Sequence, residues 1–187
     1  MVEREVQVLA FVGAPAAGKT VAAAIAKDMD IPVITMGDVV RGELRTRGLL
    51  LSNGNAGRVA DELRKNEGMA AIARRCIPVI KDMKAIFKKF IVIDGIRSMD
   101  EVDAFKNEFG TDFCLVRIDA PIALRYERIK IRGRGDDLLH LDDLKRREER
   151  EKRWGMEEAM QKADKVIKNE GSIDDFKEEI KGLFDCI

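Results

Sequence analysis

Eight residues constrain this chain more than any others: Gly13-Ala14-Pro15-Ala16-Ala17-Gly18-Lys19-Thr20. They fit G-x-x-x-x-G-K-[ST] at every fixed position, the spacing of a phosphate-binding loop. Glycine at both ends permits backbone angles that side chains forbid, so successive N–H groups can turn inward around an anion. A helix beginning at the loop adds its positive N-terminus. The flanks supply the required context. Val6–Val12 is an apolar run suited to a buried strand. Val21–Lys27 is Ala-rich and favours helix. The residues from Gly13 through Ala14, Pro15, Ala16, Ala17 and Gly18 to Val21 are therefore expected to bind ATP. Lys19 would reach the β- and γ-phosphates, and Thr20 would ligate Mg²⁺.

Strands and helices alternate along the rest of the chain. Pro32–Thr35 reads as a second strand, followed by a break at Gly37-Asp38 with Asp38 as helix N-cap. From Val39 to about Pro78 the pattern is helical, interrupted by a turn-rich segment at 49–57. Helices are expected from about Arg58 to Lys65 and from Gly68 to Ile77, with Pro78 starting or kinking a helix. Phe90–Asp94 is a third strand, and Ser98-Met99-Asp100-Glu101 is a capping box that starts a helix at Met99, ending near Phe109. Phe113–Ile118 is a fourth strand, and Pro121 opens another helix. A long charged helix over about 141–163, bent at Gly155, precedes a short strand at 165–167 and a terminal helix at 174–184. Such alternation implies an α/β fold: a parallel sheet with helices on both faces and ligands at the strand C-termini.

Length and charge narrow the function. A chain of 187 residues suits one domain over 1–187. Lys+Arg and Asp+Glu balance at 34 each, which argues against a nucleic-acid or anionic-membrane partner. The three cysteines show no C-x-x-C pair and His140 is the sole histidine, which argues against a disulfide framework and histidine catalysis. The charged N-terminus has no signal-peptide core and no apolar run reaches membrane length, so a cytoplasmic protein without a membrane partner is expected, as monomer or homodimer.

Three further groups of residues carry chemistry. Asp94 ends an apolar strand, where a carboxylate can hold Mg²⁺ opposite Thr20. Gly37-Asp38-x-x-Arg41 and Asp94-Gly95-Ile96-Arg97 each place an arginine three residues after an aspartate at a strand end. Two guanidinium forks there suit the phosphate of a second substrate, although local ion pairs on the surface would give the same spacing. Arg125, Arg128 and Arg132 share one helix face, with Arg134 beyond, as in a lid over a transferring phosphoryl group or a plain solvated basic face.

The combination resembles the nucleoside monophosphate kinases, adenylate kinase above all. The segment Ala163–Ser172 is similar to the final strand and loop of dephospho-CoA kinases. Most closely, through Met36–Arg41, Glu62–Arg64, Ile93–Ser98 and Ala163–Ser172, the chain resembles an archaeal family of adenylate-kinase-related ATP-binding proteins. The resemblance implies a three-layer P-loop kinase fold whose five parallel strands run in the order 2-3-1-4-5. It implies Mg-ATP in the loop, Arg41 and Arg97 on the acceptor phosphate, and catalytic Lys19, Arg128, Arg132 and Arg134, joined by Arg146 or Arg147. Asn169, Gly171 and Ser172 would sit near the adenine. A helical segment at about 38–80 would bind the acceptor, and a short lid would span about 125–147. Arg58 and Arg64 are open between acceptor contact and surface charge, and Asp38 is the one carboxylate named as acceptor partner or base. The expected activity is ATP-dependent phosphotransfer to a small nucleotide-like acceptor. A non-catalytic ATP switch, or a small ATPase working with RNA or protein, are the alternatives.

Overall fold

The computed structural model describes residues 8–86, 90–132 and 141–185. Five parallel strands form the sheet: β1 (Val8–Val12), β2 (Val33–Thr35), β3 (Ile91–Ile96), β4 (Phe113–Asp119) and β5 (Lys165–Lys168), in the order β2-β3-β1-β4-β5. Nine helices accompany them among the described residues. They are α1 (Lys19–Asp28), α2 (Met36–Thr46), α3 (Asn53–Glu67), α4 (Ala71–Ile86), α5 (Met99–Phe109), α6 (Ile122–Arg132), α7 (Leu141–Arg153), α8 (Met156–Gln161) and α9 (Ile173–Asp185). None of the described helices is long and apolar enough to cross a membrane.

The period-2 geometry of a strand explains why both faces are apolar. Along β1, Val8, Ala10 and Val12 enter one core, with residues of α2 to α5 and α8. Leu9 and Phe11 enter the other, with Ala22, Ile25, Phe176 and Ile180 of α1 and α9. The central strand is thus fully buried, and its C-terminal end is held between its neighbours in fixed register. Phe11 pairs with Asp94, and the register slips by one residue before Val12 meets Ile96. Thr35 of β2 pairs with Asp94 from the other side. Three strand ends therefore converge beside the loop that follows β1.

Several expectations about element boundaries are corrected. Asp38 does not cap α2; Thr35 occupies that position, because α2 starts directly after β2 and takes Asp38 into its first turn. The segment 49–57 is not all turn. Ser52 caps α3 by accepting a 3.1 Å bond from the Asn55 N–H, so Gly54 and Gly57 lie inside a helix that begins at Asn53. Pro78 lies inside α4 without ending it. The charged C-terminal helix is two helices, separated at Trp154 and Gly155, the latter left-handed at φ 92°. Half of the capping box forms: Ser98 Oγ accepts from Glu101 N at 3.2 Å, but the Glu101 carboxylate accepts from the Arg97 N–H and from Arg64 instead of from the Ser98 N–H.

Candidate active site

The loop between β1 and α1 is built as its sequence requires. Ala17 N–H bonds Ala14 O at 3.1 Å, and Val21 and Ala22 N–H both bond Gly18 O at 3.0 Å, turning the chain tightly into α1. Ala16 adopts a left-handed φ of 63°, unusual for a residue with a side chain and typical of a functional loop. Gly13 faces β4 so closely that a Cβ would lie 2.3 Å from the Ile118 carbonyl oxygen. That oxygen belongs to sheet backbone and cannot yield. Gly13→Ala is therefore expected to lower stability by about 1–3 kcal/mol and to deform the anion cradle. Thermal unfolding alongside Mg-ATP binding checks both effects; unchanged binding would contradict the close approach.

Lys19 donates to the Gly13 carbonyl at 2.5 Å and to the Ala14 carbonyl at 3.0 Å. Burial pulls its ammonium down to about 8, with Glu151 and Asp94 opposing the shift. A cavity of about 430 Å³ opens in front of the loop, lined by Lys19, Thr20, Arg41, Asp94, Arg97 and Arg147 among others. Asp94 is 9% exposed. Burial raises its carboxyl while Lys19, Arg97, Arg147 and Arg41 draw it down. A hydroxyl and one buried carboxylate facing one cavity form a hard-oxygen donor pair. Mg²⁺, which takes one or two protein oxygens and completes its shell with phosphate and water, fits that pair. The described residues contain no cluster of three or more His, Cys, Asp or Glu that could hold a metal by themselves.

Behind Arg97 stands a carboxylate that the sequence did not single out. Glu151 of α7 is 2% exposed. Its Oε1 accepts from Arg97 Nη1 at 3.0 Å and from Arg147 Nε at 2.9 Å. Burial pushes Glu151 up, but Arg97, Arg147 and Lys19 outweigh it and hold the carboxyl at about 2. One buried anion thus fixes two guanidiniums that face the cavity. The Arg147–Glu151 pair has the i,i+4 spacing of an ordinary surface pair. Its burial has no local sequence signal.

A second cavity of about 220 Å³ adjoins the first, sharing Gly37, Arg41, Gly95, Arg97 and Arg147. Its far part is lined by α3 residues including Gly57, Ala60 and Arg64, and by Arg150 and Trp154. Arg64 is 4% exposed and binds Glu101 at 2.8 Å while lying 4.0 Å over the Trp154 ring. Arg64 thus lines the cavity. Arg58 does not; it is exposed and reaches Asn55 Oδ1 at 3.4 Å.

Not every expected residue meets the cavities. Asp38 is exposed and engages Arg41, with Arg41 Nε donating to Oδ1 at 2.8 Å. Arg128 turns toward Asn169, donating to its carbonyl at 3.0 Å and to Oδ1 at 2.9 Å. Asn169 is 3% exposed and passes the link on to Ala17 O at 2.8 Å. Arg125 reaches Pro15 O at 3.2 Å. Arg125 and Arg128 therefore brace the outer side of the phosphate loop, directly at Pro15 O and through Asn169. Ser172 is exposed and caps α9: its Oγ accepts from Asp175 N at 3.1 Å and bonds Oδ2 at 2.6 Å. Gly171, exposed as well, lies beside Asp175. Arg134 and the Arg132 side chain lie outside the described residues.

Residues 12–145 match the family described as AAA domain. A UPF0200 protein of Methanosarcina acetivorans is 44% identical over 177 residues, 95% of this chain and 93% of that protein. This chain belongs to the UPF0200 family. A UPF0200/UPF0201 protein of Archaeoglobus fulgidus is 49% identical over 181 residues, 96% of this chain. The chain spans only 55% of that longer relative. Among solved structures, a dephospho-CoA kinase from Campylobacter jejuni superposes with a TM-score of 0.60 at 19% identity, covering 96% of both chains. At that identity the likeness concerns the fold, and the fold is that of the P-loop kinases.

Proposed function

We propose that this UPF0200 chain is an ATP-dependent phosphotransferase acting on a small phosphate-bearing acceptor of nucleotide type. One observation carries the reading: a single cleft brings the phosphate loop, Asp94 and two arginines, Arg41 of α2 and Arg97 just after β3, onto the same space. A protein that only binds and releases ATP has no use for a second anion site beside the γ-phosphate. Lys19 and the loop amides would hold the ATP phosphates, with Val21 in the first turn of α1 behind them. Thr20 and Asp94 would hold Mg²⁺, which would supply charge neutralisation for the ATP phosphates. Arg41 and Arg97 would hold the acceptor phosphate, and Arg147 would face the transferring group. Asn169, bonded to Ala17 O, would border the nucleotide on the loop's outer side.

The chemistry asked of these side chains is positioning and electrostatic stabilisation, with no covalent intermediate. An acceptor phosphate is already nucleophilic, so no general base is required, and the exposed Asp38 serves Arg41 as an ion-pair partner. Glu151 acts through the arginines it holds.

The test is ADP release from Mg-ATP, alone and with nucleoside monophosphates, dephospho-CoA and small alcohols. One acceptor is expected to stimulate release. Arg97→Ala should reduce the stimulated rate by roughly 10- to 100-fold, the worth of a charge-assisted contact to phosphate. Mg-ATP binding without acceptor-dependent turnover would overturn the reading in favour of a switch.

A further inference from the structure

The second cavity as a whole carries more positive charge than a single acceptor phosphate needs. Five arginines line the cavity as a whole and one carboxylate does, Glu101. Three arginines in the part shared with the ATP cavity have fixed partners: Asp38 for Arg41, and Glu151 for Arg97 and Arg147. Arg64 is ion-paired with Glu101 through Nη2, while its Nε is buried without a hydrogen-bond partner. Arg150 is the exception in having no salt bridge with any described residue, and its Nε too is buried without a hydrogen-bond partner. Burial lowers its pKa, opposed by Glu151 and by Asp61.

The setting of Arg150 is built for an ordered guanidinium. Its Cζ lies 5.4 Å from the centre of the Trp154 ring. Trp154 is in turn fixed by a 2.8 Å bond from Nε1 to Asp61 Oδ1. On the α3 side, Arg150 passes over Gly57, where a Cβ would lie 2.3 Å from Nη1 and 2.7 Å from Cζ. Gly57 therefore leaves the space that the guanidinium fills. The indole itself is not a stacking platform for a ligand, since it is only 7% exposed and carries Arg64 on its face. What the cavity offers at this end is a planar fork of N–H donors, which suits an oxyanion.

Arg147 and Arg150 stand one turn apart on α7, a rise of about 4.5 Å. Only Arg147 also lines the cavity in front of the loop. We propose that the acceptor carries a second anionic group, a phosphate or carboxylate, which Arg150 binds at the far end of the cavity. The proposal rests on the phosphotransferase reading and specifies its substrate class: a small polyanion with two separated anionic groups. The group nearer Arg41 and Arg97 receives the phosphoryl.

The test is calorimetric titration of the full chain saturated with Mg-ADP. Its ligands are the 5′-monophosphates of adenosine, guanosine, cytidine and uridine and the matching 3′,5′-bisphosphates. For at least one base the bisphosphate is expected to bind roughly tenfold or more tightly than the monophosphate, the worth of one charge-assisted contact. Arg150→Gln should erase that preference. So should Gly57→Ala, which keeps the charge but displaces the guanidinium and, as a helix-interior Gly→Ala change, favours α3. Retained Mg-ADP binding in both variants shows an intact fold. No preference with any base, or a preference that survives in both variants, overturns the proposal. A monophosphate that binds and accepts phosphoryl without gain from the second phosphate would defeat this inference alone. Failure of every compound to stimulate ADP release would defeat the phosphotransferase reading as well.

Discussion

Lys19→Met should abolish phosphoryl transfer, by at least about a hundredfold, while leaving the unfolding temperature unchanged or raised. The two effects separate because of where the ammonium lies. It is folded back on the Gly13 and Ala14 carbonyls, and burial lowers its pKa to about 8 from the usual 10.5. The folded chain thus disfavours the charged form, and a neutral side chain of similar length removes that cost. A bound triphosphate reverses the balance, since it offers the ammonium a strong counter-charge. Binding above pH 8 must therefore recapture a proton. The expected result is an Mg-ATP affinity that declines as pH rises through 8, by up to about tenfold per unit, and that is level below it. In Lys19→Met the slope should vanish. Titrations between pH 7 and 9.5 decide the matter. A flat profile in the unmodified chain would show that Lys19 keeps its proton in the empty loop.

The largest stability effect is expected at Arg64. Its ion pair with Glu101 is almost sealed from solvent, at 3% and 0% side-chain exposure. Glu101 Oε2 also accepts the Arg97 N–H at 2.8 Å, so the carboxylate joins α3 to the start of α5 and to the end of β3. Burial pushes Glu101 up, and Arg64 is the strongest influence holding it down. Arg64→Met would leave a carboxylate buried without its counter-charge, a loss of about 3–5 kcal/mol. For a chain of this length that is roughly a 10 °C fall in unfolding temperature. The sign of the pH dependence follows. With Arg64 gone, the Glu101 pKa rises further above its unfolded value. The penalty is then full at neutral pH and shrinks as acid protonates the group. Unfolding at pH 5 and pH 8 should show the variant closer to the unmodified chain at pH 5. Arg64→Met combined with Glu101→Gln should recover part of the loss. A loss below about 1 kcal/mol in the single variant would show that water reaches the pair.

Much of this architecture was legible in local pattern. The phosphate loop needs two glycines, a lysine and a threonine at fixed offsets, and the flanking strand and helix follow from apolar runs. Asp94 was singled out because a carboxylate after a fully apolar run is conspicuous, although β3 runs on past it to Ile96. The Ser98 cap of α5 was legible because its bond to the Glu101 N–H is made within four residues, whereas the Glu101 side chain turns to Arg97 N and to Arg64. What escaped depends on distant partners. Gly57 reads as a turn residue until Arg150, ninety-three positions later, is seen lying across it. Glu151 is one acid among many in a charged helix, and nothing nearby distinguishes it as the buried one. Arg125 and Arg128 were correctly placed on one helix face, but that face meets the outer side of the loop and Asn169. Periodicity tells which residues share a face; it does not tell what the face meets.

Helix α7 contributes Arg147 to the space before the loop and Arg150 to the space beyond Gly57. A shift or rotation of that helix displaces both side chains together. Any descendant that reshapes the far cavity by moving α7 also disturbs the geometry around the triphosphate. Apart from Arg64, whose partner Glu101 also holds the Arg97 N–H, the α3 residues line only the far cavity and carry no such penalty. The fold therefore leaves one wall free to change and ties the other down, so that a new acceptor is most easily acquired through residues near Gly57 and Ala60.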